Sequence, residues 1–240
     1  MTATTMKPGT SSRPARLAKR AAIAAAALLG ATVLLHTPLG RPLLARMSAK
    51  TGVCPVLVGA SPQALEEHRA AALKPLGQAA VARAPNRAAL AFTLSTTTRS
   101  EVSAWTTAQH LACKDEIAGT AVRCTDVDPK SLDDGLIPID DLFFAFSPDG
   151  KLVALDVMHR GASAEEASRL LDDASARLAR VLGAPPTSTN GDRTSTYLTS
   201  APMAQSGLEY RFRDLAVDVS ATNFGDRGVI VREQYRSIPD

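Results

Sequence analysis

The chain is 240 residues long, with a formal net charge of +3 and only 4% aromatic residues. Its first 50 residues hold eight basic side chains and no acid, leaving 19 basic against 24 acidic groups, a net of −5, for residues 51–240. The positive excess therefore belongs to the N-terminus alone. This removes the compositional support for nucleic-acid binding, and the sparse aromatics point to an aliphatic core in one large or two small domains.

Lys7, Arg13, Arg16, Lys19 and Arg20 make residues 1–20 a basic region. AAIAAAALLGATVLLHTPLG follows at 21–40, where only His36 can carry charge. A basic region followed by an apolar one is the order of an export signal. Twenty residues rising about 1.5 Å each reach about 30 Å, enough to cross a hydrocarbon core. The tract is either an anchor or a leader that is cut away. No clear A-x-A follows Leu35, Met47-Ser48-Ala49 being the nearest match, and Val53 rather than a small residue precedes Cys54. The reading favours an uncleaved signal anchor, with secretion into the periplasm after cleavage as the alternative. Basic residues stay on the cytoplasmic side, so residues 42–240 are expected outside the cytoplasm.

Residues 41–87 read as a juxtamembrane connector. Within it Ser61 can cap a short helix at about 62–73, with Pro62 in its first position and Pro75 beyond its end. GQAAVARAPNRA reads as a linker, which starts the exported domain near Ala88. There ALAFTLST is extended, and Thr98-Arg99-Ser100-Glu101 forms a capping box. Val102, Trp105, Ala108 and Ala112 then recur at helical spacing, predicting a helix over 99–112.

CKDEIAGTAVRC follows, with strands expected at about 113–117 and 120–126 around Gly119. Cys113 and Cys124 can face each other there, and a disulfide closing so short a loop contributes about 2–3 kcal/mol. Two free buried thiols are the alternative; a metal site lacks a second ligand pair. Cys54 is left over. The acidic stretch TDVDPKSLDDGLIPIDD holds Asp126, Asp128, Asp133, Asp134, Asp140 and Asp141. Its spacing departs from a calcium loop, with Lys130 where a ligand belongs, so it reads as a solvated turn-forming loop.

DDLFFAFSPDGKLVALDV is the clearest hairpin. Pro148, Asp149 and Gly150 supply the turn, Leu142, Phe144 and Phe146 lie on one face, and Phe143 lies on the other. Ser163 and Glu166 form a second capping box. Ala167, Leu170, Leu171, Ala174, Leu178 and Val181 make an apolar stripe, and Gly183 stands at the left-handed stop before Pro185-Pro186. Strands are expected after it at 194–198, 208–213, 215–222 and 228–235. The fold class is α+β: an antiparallel sheet with two main helices packed on one face, preceded by the N-terminal apolar helix.

Helix-then-strands occurs twice, and the pattern rests on TLSTTTRSEV (93–102), RGASAEEA (160–167) and FFAFSPDGKLVALDV (143–157). In this order the chain resembles the small envelope lipoproteins of the SmpA/OmlA type. It is also similar to the tandem-repeat β-lactamase-inhibitor-protein fold. It departs from the lipoproteins in lacking a lipobox and in having Ser95 or Thr96 where the first unit usually has Gly. The resemblance implies a non-enzymatic domain that binds other proteins through its sheet.

No catalytic constellation emerges. His36 lies in the apolar tract, His68 on the weak first helix, His110 at a helix end and His159 at a strand end; none stands in a hydrolase or metal-binding motif. Glu165-Glu166 and Asp172-Asp173 are helix acids, and no phosphate loop is present. Catalytic, cofactor and metal residues are therefore read as none. Arg211, Arg213, Arg227, Arg232 and Arg236 gather on the last strands, either paired with Asp214, Asp218 and Glu233 or forming a docking strip. Arg211, Arg213 and Arg232 are the candidate partner-binding residues. The expected function is a membrane-anchored extracytoplasmic domain that recognises another envelope protein. An exported hydrolase-like enzyme around His110, His159 and the 126–141 acids, or a purely structural envelope domain, are the alternatives.

Overall fold

The computed structural model describes residues 60–132 and 137–239. The basic region, the apolar tract at 21–40 and Cys54 lie outside the described residues. Among the described residues no helix is long and apolar enough to cross a membrane.

The fold is α+β, built on one large antiparallel sheet with few helices. In chain order its strands are β3 (Ala112–Glu116), β4 (Ala121–Val127), β5 (Ile139–Phe146), β6 (Leu152–Ala162), β7 (Ser188–Asn190), β8 (Gln205–Arg211), β9 (Leu215–Asn223) and β10 (Val229–Ser237). Across the sheet the order is β3-β4-β5-β6-β10-β9-β8-β7, so the last strand of each group of four meets the other at the centre. The β5–β6 hairpin turns at Ser147–Lys151, where Gly150 takes φ +77° and its N–H donates to Ser147 O at 2.9 Å.

Helices α2 (Arg99–Ala108) and α3 (Ala164–Leu182) precede the two groups of strands. Each starts with a complete capping box, Thr98 with Glu101 and Ser163 with Glu166. In both, the carboxylate accepts the cap residue's backbone N–H and hydroxyl, which hold its pKa below the ordinary glutamate value. α3 ends at Gly183 in the left-handed conformation. Its buried stripe of Ala167, Leu170, Leu171, Ala174 and Leu178 joins Val102 of α2 in one core with Leu142, Phe144, Leu155, Val157, Val217, Val231 and Tyr235 from the sheet. Each buried leucine contributes about 1.5–3 kcal/mol of apolar transfer. Phe92, Trp105 and Phe144 meet edge to face, with Phe92 5.1 Å from Trp105 and 5.3 Å from Phe144.

Several elements differ from the sequence expectation. ALAFTLST does not extend into the sheet; β1 (Ala88–Ala89) and β2 (Phe92–Thr93) pair with each other about a turn at Leu90, whose φ is 55°. α2 stops at Ala108 rather than reaching 112, because His110 adopts φ 55° and its N–H turns back to Thr107 O. Residues 194–198 form no strand. Thr194 Oγ1 accepts the Tyr197 N–H at 3.3 Å and starts a one-turn helix, α4 (Ser195–Leu198), a local side-chain bond prevailing over extension. β8 ends at Arg211, since Phe212 N donates to Leu215 O and takes residues 212–214 into a turn.

The first helix, α1 (Pro62–Gln78), also continues past the expected stop at 73 and through Pro75. Pro75 costs a backbone bond, but packing offsets it: Leu73 is buried with Ala216 and Ile238. The compact unit accordingly spans Gly59–Asp240, with α1 a packed part of it. Ala216 lies between Leu215 and Val217, which face α3, so strand alternation puts α1 on the opposite side of the sheet.

Candidate functional site

α2 and α3 cover one face of the sheet, and α1 covers one end of the other. The remainder of that second face carries paired charges around a small apolar floor. Phe143 and Met158 alternate with inward-facing neighbours on β5 and β6, so both turn outward, half-buried. Arg123 of β4 lies over the Phe143 ring with its guanidinium carbon 5.6 Å from the centroid. The same guanidinium is 3.4 Å from Asp141, which Arg160 also approaches at 3.3 Å. Across the floor, Arg232 Nε donates to Asp156 Oδ1 at 2.8 Å while its Nη2 bonds Oδ2, and Gln234 Nε2 donates to Asp156 at 3.0 Å. These hydrogen bonds to Asp156 hold the Arg232 pKa above the ordinary arginine value. Arg123, Asp141, Phe143, Asp156, Met158 and Arg232 enclose a shallow hollow of about 270 Å³.

Farther along the same face, Arg211 and Arg236 both bond Asp218, and Arg211 also lies 3.1 Å from Glu209. The result is a row of arginines, each seated on a carboxylate from a neighbouring strand. Such pairs fix the arginine planes and leave the outer edges of half-exposed ones, such as Arg232, open to a partner.

The three arginines singled out from the sequence are thus only partly together. Arg211 and Arg232 share the open face, whereas Arg213 is exposed in the turn after β8. Arg227, also in the cluster read from sequence, ends the 3-10 turn Gly225–Arg227. Of the three expected acid partners, Asp218 takes that role. Glu233 points to the covered face and pairs with Arg177 of α3 at 2.7 Å. Asp214 is buried, accepts the Ala84 N–H at 2.9 Å and lies 4.0 Å from Arg83. Asp141 and Asp156 were not read from sequence as partners. Their alternation with Leu142 and Leu155 on central strands was the available signal.

The residues of the enzymatic alternative do not converge. His159 is buried on the covered face with Nδ1 2.9 Å from Pro138 O, His110 is exposed after α2, and Asp141 faces the open side. Asp128 caps a turn by accepting the Lys130 N–H at 3.0 Å, and Asp140 accepts the Arg160 N–H at 2.5 Å. Asp133 and Asp134 lie outside the described residues. Among the described residues no three or more His, Cys, Asp or Glu side chains gather as a metal site. Cys113 and Cys124 occupy directly opposed positions on β3 and β4 and are joined by a disulfide.

Comparison with known proteins returns no matching family model, no matching curated protein and no matching solved structure.

Proposed function

We propose that this chain is a membrane-anchored, extracytoplasmic binding domain that docks another envelope protein on the open face of its sheet. The observation that carries the reading is one-sided coverage. An eight-stranded sheet buries one face under α2 and α3 and presents on the other an apolar floor, Phe143 and Met158, framed by fixed arginine–carboxylate pairs. A partner offering an apolar side chain to the floor and charges to the rim matches this face. Helix-then-four-strands occurs twice and supports the tandem-repeat resemblance, in which the sheet is the binding element. The basic and apolar order of residues 1–40 supports export and anchoring, and the disulfide suits an oxidising compartment.

Photo-crosslinking in the native cell tests the reading. A photoreactive residue at Phe143 or Met158 is expected to capture an envelope protein, and Arg232→Ala is expected to reduce that capture. The same residue at Asp173, exposed on α3, is expected to capture none of it. Equal capture from both sides of the domain would sink the assignment of the face.

A further inference from the structure

A second and larger cleft lies away from the open-face hollow, where the C-terminal half of α1 meets the β8–β9 turn and the end of β10. Its volume is about 840 Å³, and the described residues lining it include three cations, Lys74, Arg83 and Arg213, and no acid. Gly77 forms the floor: a side chain there would run into Arg213 O and Ile238. Lys74 and Arg213 are exposed and have no ion-pair partner among the described residues. Arg83 already has partners, Asp214 at 4.0 Å among them, so Lys74 and Arg213 are the cations open to a ligand. At the rim stands Val81, an aliphatic side chain that is 96% exposed.

We propose that this cleft seats the headgroup of an acidic phospholipid, with Val81 entering the apolar boundary beside it. Cations around a concave site attract phosphate. An exposed aliphatic tip beside them is the further feature that separates a lipid surface from a soluble anion, because only the former gives Val81 an apolar place to go. The inference rests on the membrane-anchored reading above. Residues 41–61 connect the apolar tract to α1, 21 residues that reach about 70 Å when extended, so the cleft is confined to the neighbourhood of the bilayer.

The full chain, carrying Cys54→Ser and Val81→Cys with the Cys113–Cys124 bridge intact, is labelled at position 81 with a polarity-sensitive fluorophore. It is reconstituted into phosphatidylcholine vesicles or into vesicles of phosphatidylcholine and phosphatidylserine in equal proportion. A blue shift in the acidic vesicles alone is expected. Lys74→Gln with Arg213→Gln should lower the docked-to-undocked ratio about 25-fold, at roughly fivefold per surface cation. The same label at Met203, 62% exposed elsewhere, should stay solvent-like in both. Identical emission in the two vesicle types overturns the proposal. So does a shift produced by inorganic phosphate in neutral vesicles, which makes the site one for free anions. Flotation with neutral vesicles reads the anchor by itself: a chain that floats with both compositions but never shifts refutes the cleft alone. One that floats and shifts only with acidic vesicles refutes the anchor alone, and one that floats with neither refutes both.

Discussion

Arg177 of α3 and Glu233 of β10 form an ion pair beneath the helix, Arg177 Nη2 alone lying 2.7 and 2.8 Å from the two carboxylate oxygens, and Glu233 is only 2% exposed. Tyr235 closes the cluster, donating its hydroxyl proton to Glu233 and accepting from Arg177 Nη1 at 2.8 Å. A buried pair of this kind adds little over an apolar substitute, yet removing one member strands the other charge in the core. Arg177→Met should therefore cost about 3–5 kcal/mol, and adding Glu233→Leu to it should recover much of the loss. Urea unfolding followed by Trp105 fluorescence measures both. If the double variant is no more stable than Arg177→Met, the pair is not the source of the loss.

The same cluster makes alkaline stability depend on the Tyr235 phenol, with Tyr210 adding to it. Burial, and then the charge of Glu233, hold the Tyr235 pKa well above its ordinary value of 10.0, and burial raises that of Tyr210 as well. Above about pH 10 the unfolded chain has lost a phenolic proton that the native chain still holds, so stability falls as pH rises from there. Below that value this contribution is constant. Urea midpoints between pH 8 and 11 should decline for the native sequence, and Tyr235→Phe should flatten the decline while lowering the neutral plateau. An unchanged alkaline slope in Tyr235→Phe would assign the effect elsewhere.

Features written in contiguous residues were legible in the sequence. Thr98 with Glu101 and Ser163 with Glu166 lie three residues apart, and Pro148-Asp149-Gly150 turns on itself, so local chemistry was enough to place both main helices and the central hairpin. Contacts set by sheet topology were not. Asp156 meets Arg232, 76 residues away, only because β6 and β10 become neighbours at the centre of the sheet. Glu233, expected as a pairing partner for the arginines of the last strands, falls one position out of phase with Arg232 and pairs with Arg177 instead. α1 looked weak because its face is mostly alanine, and its small size is what lets it lie close to Ala216. Leu90 and His110 adopt left-handed backbone without a glycine to announce it, which hid the β1–β2 turn and the end of α2.

The disulfide ties an edge strand. β3 is the outermost strand on its side of the sheet and pairs only with β4, so Cys113–Cys124 fastens the last ladder to the body. The cysteines are 11 residues apart, and closing so short a loop in the unfolded chain contributes about 2–3 kcal/mol. Reductant should lower the urea midpoint accordingly and should raise hydrogen exchange first at residues 112–116. A midpoint indifferent to reductant would show that pairing with β4 holds β3 without the bridge.

Gly77 offers a test in which the ordinary rule for helices is expected to reverse. In an exposed helix interior, replacing glycine by alanine stabilises by about 1 kcal/mol, because the unfolded chain has less freedom to lose. A Cβ at position 77, however, would stand 2.6 Å from Arg213 O and 2.9 Å from Ile238 Cγ2. The first of these is backbone in a turn whose Arg213 N–H is bonded to Ala82 O, so it has little room to retreat. The helix itself must lift, breaking the contact of Leu73 with Ala216 and the bond from Arg69 Nη1 to Ser237 O at 2.6 Å. Gly77→Ala should therefore raise hydrogen exchange across residues 62–78 while leaving β5, β6 and β10 protected, since those strands are held by the other core. A variant that instead gains stability, with α1 exchange slowed, would show that the helix does not rest against the β8–β9 turn.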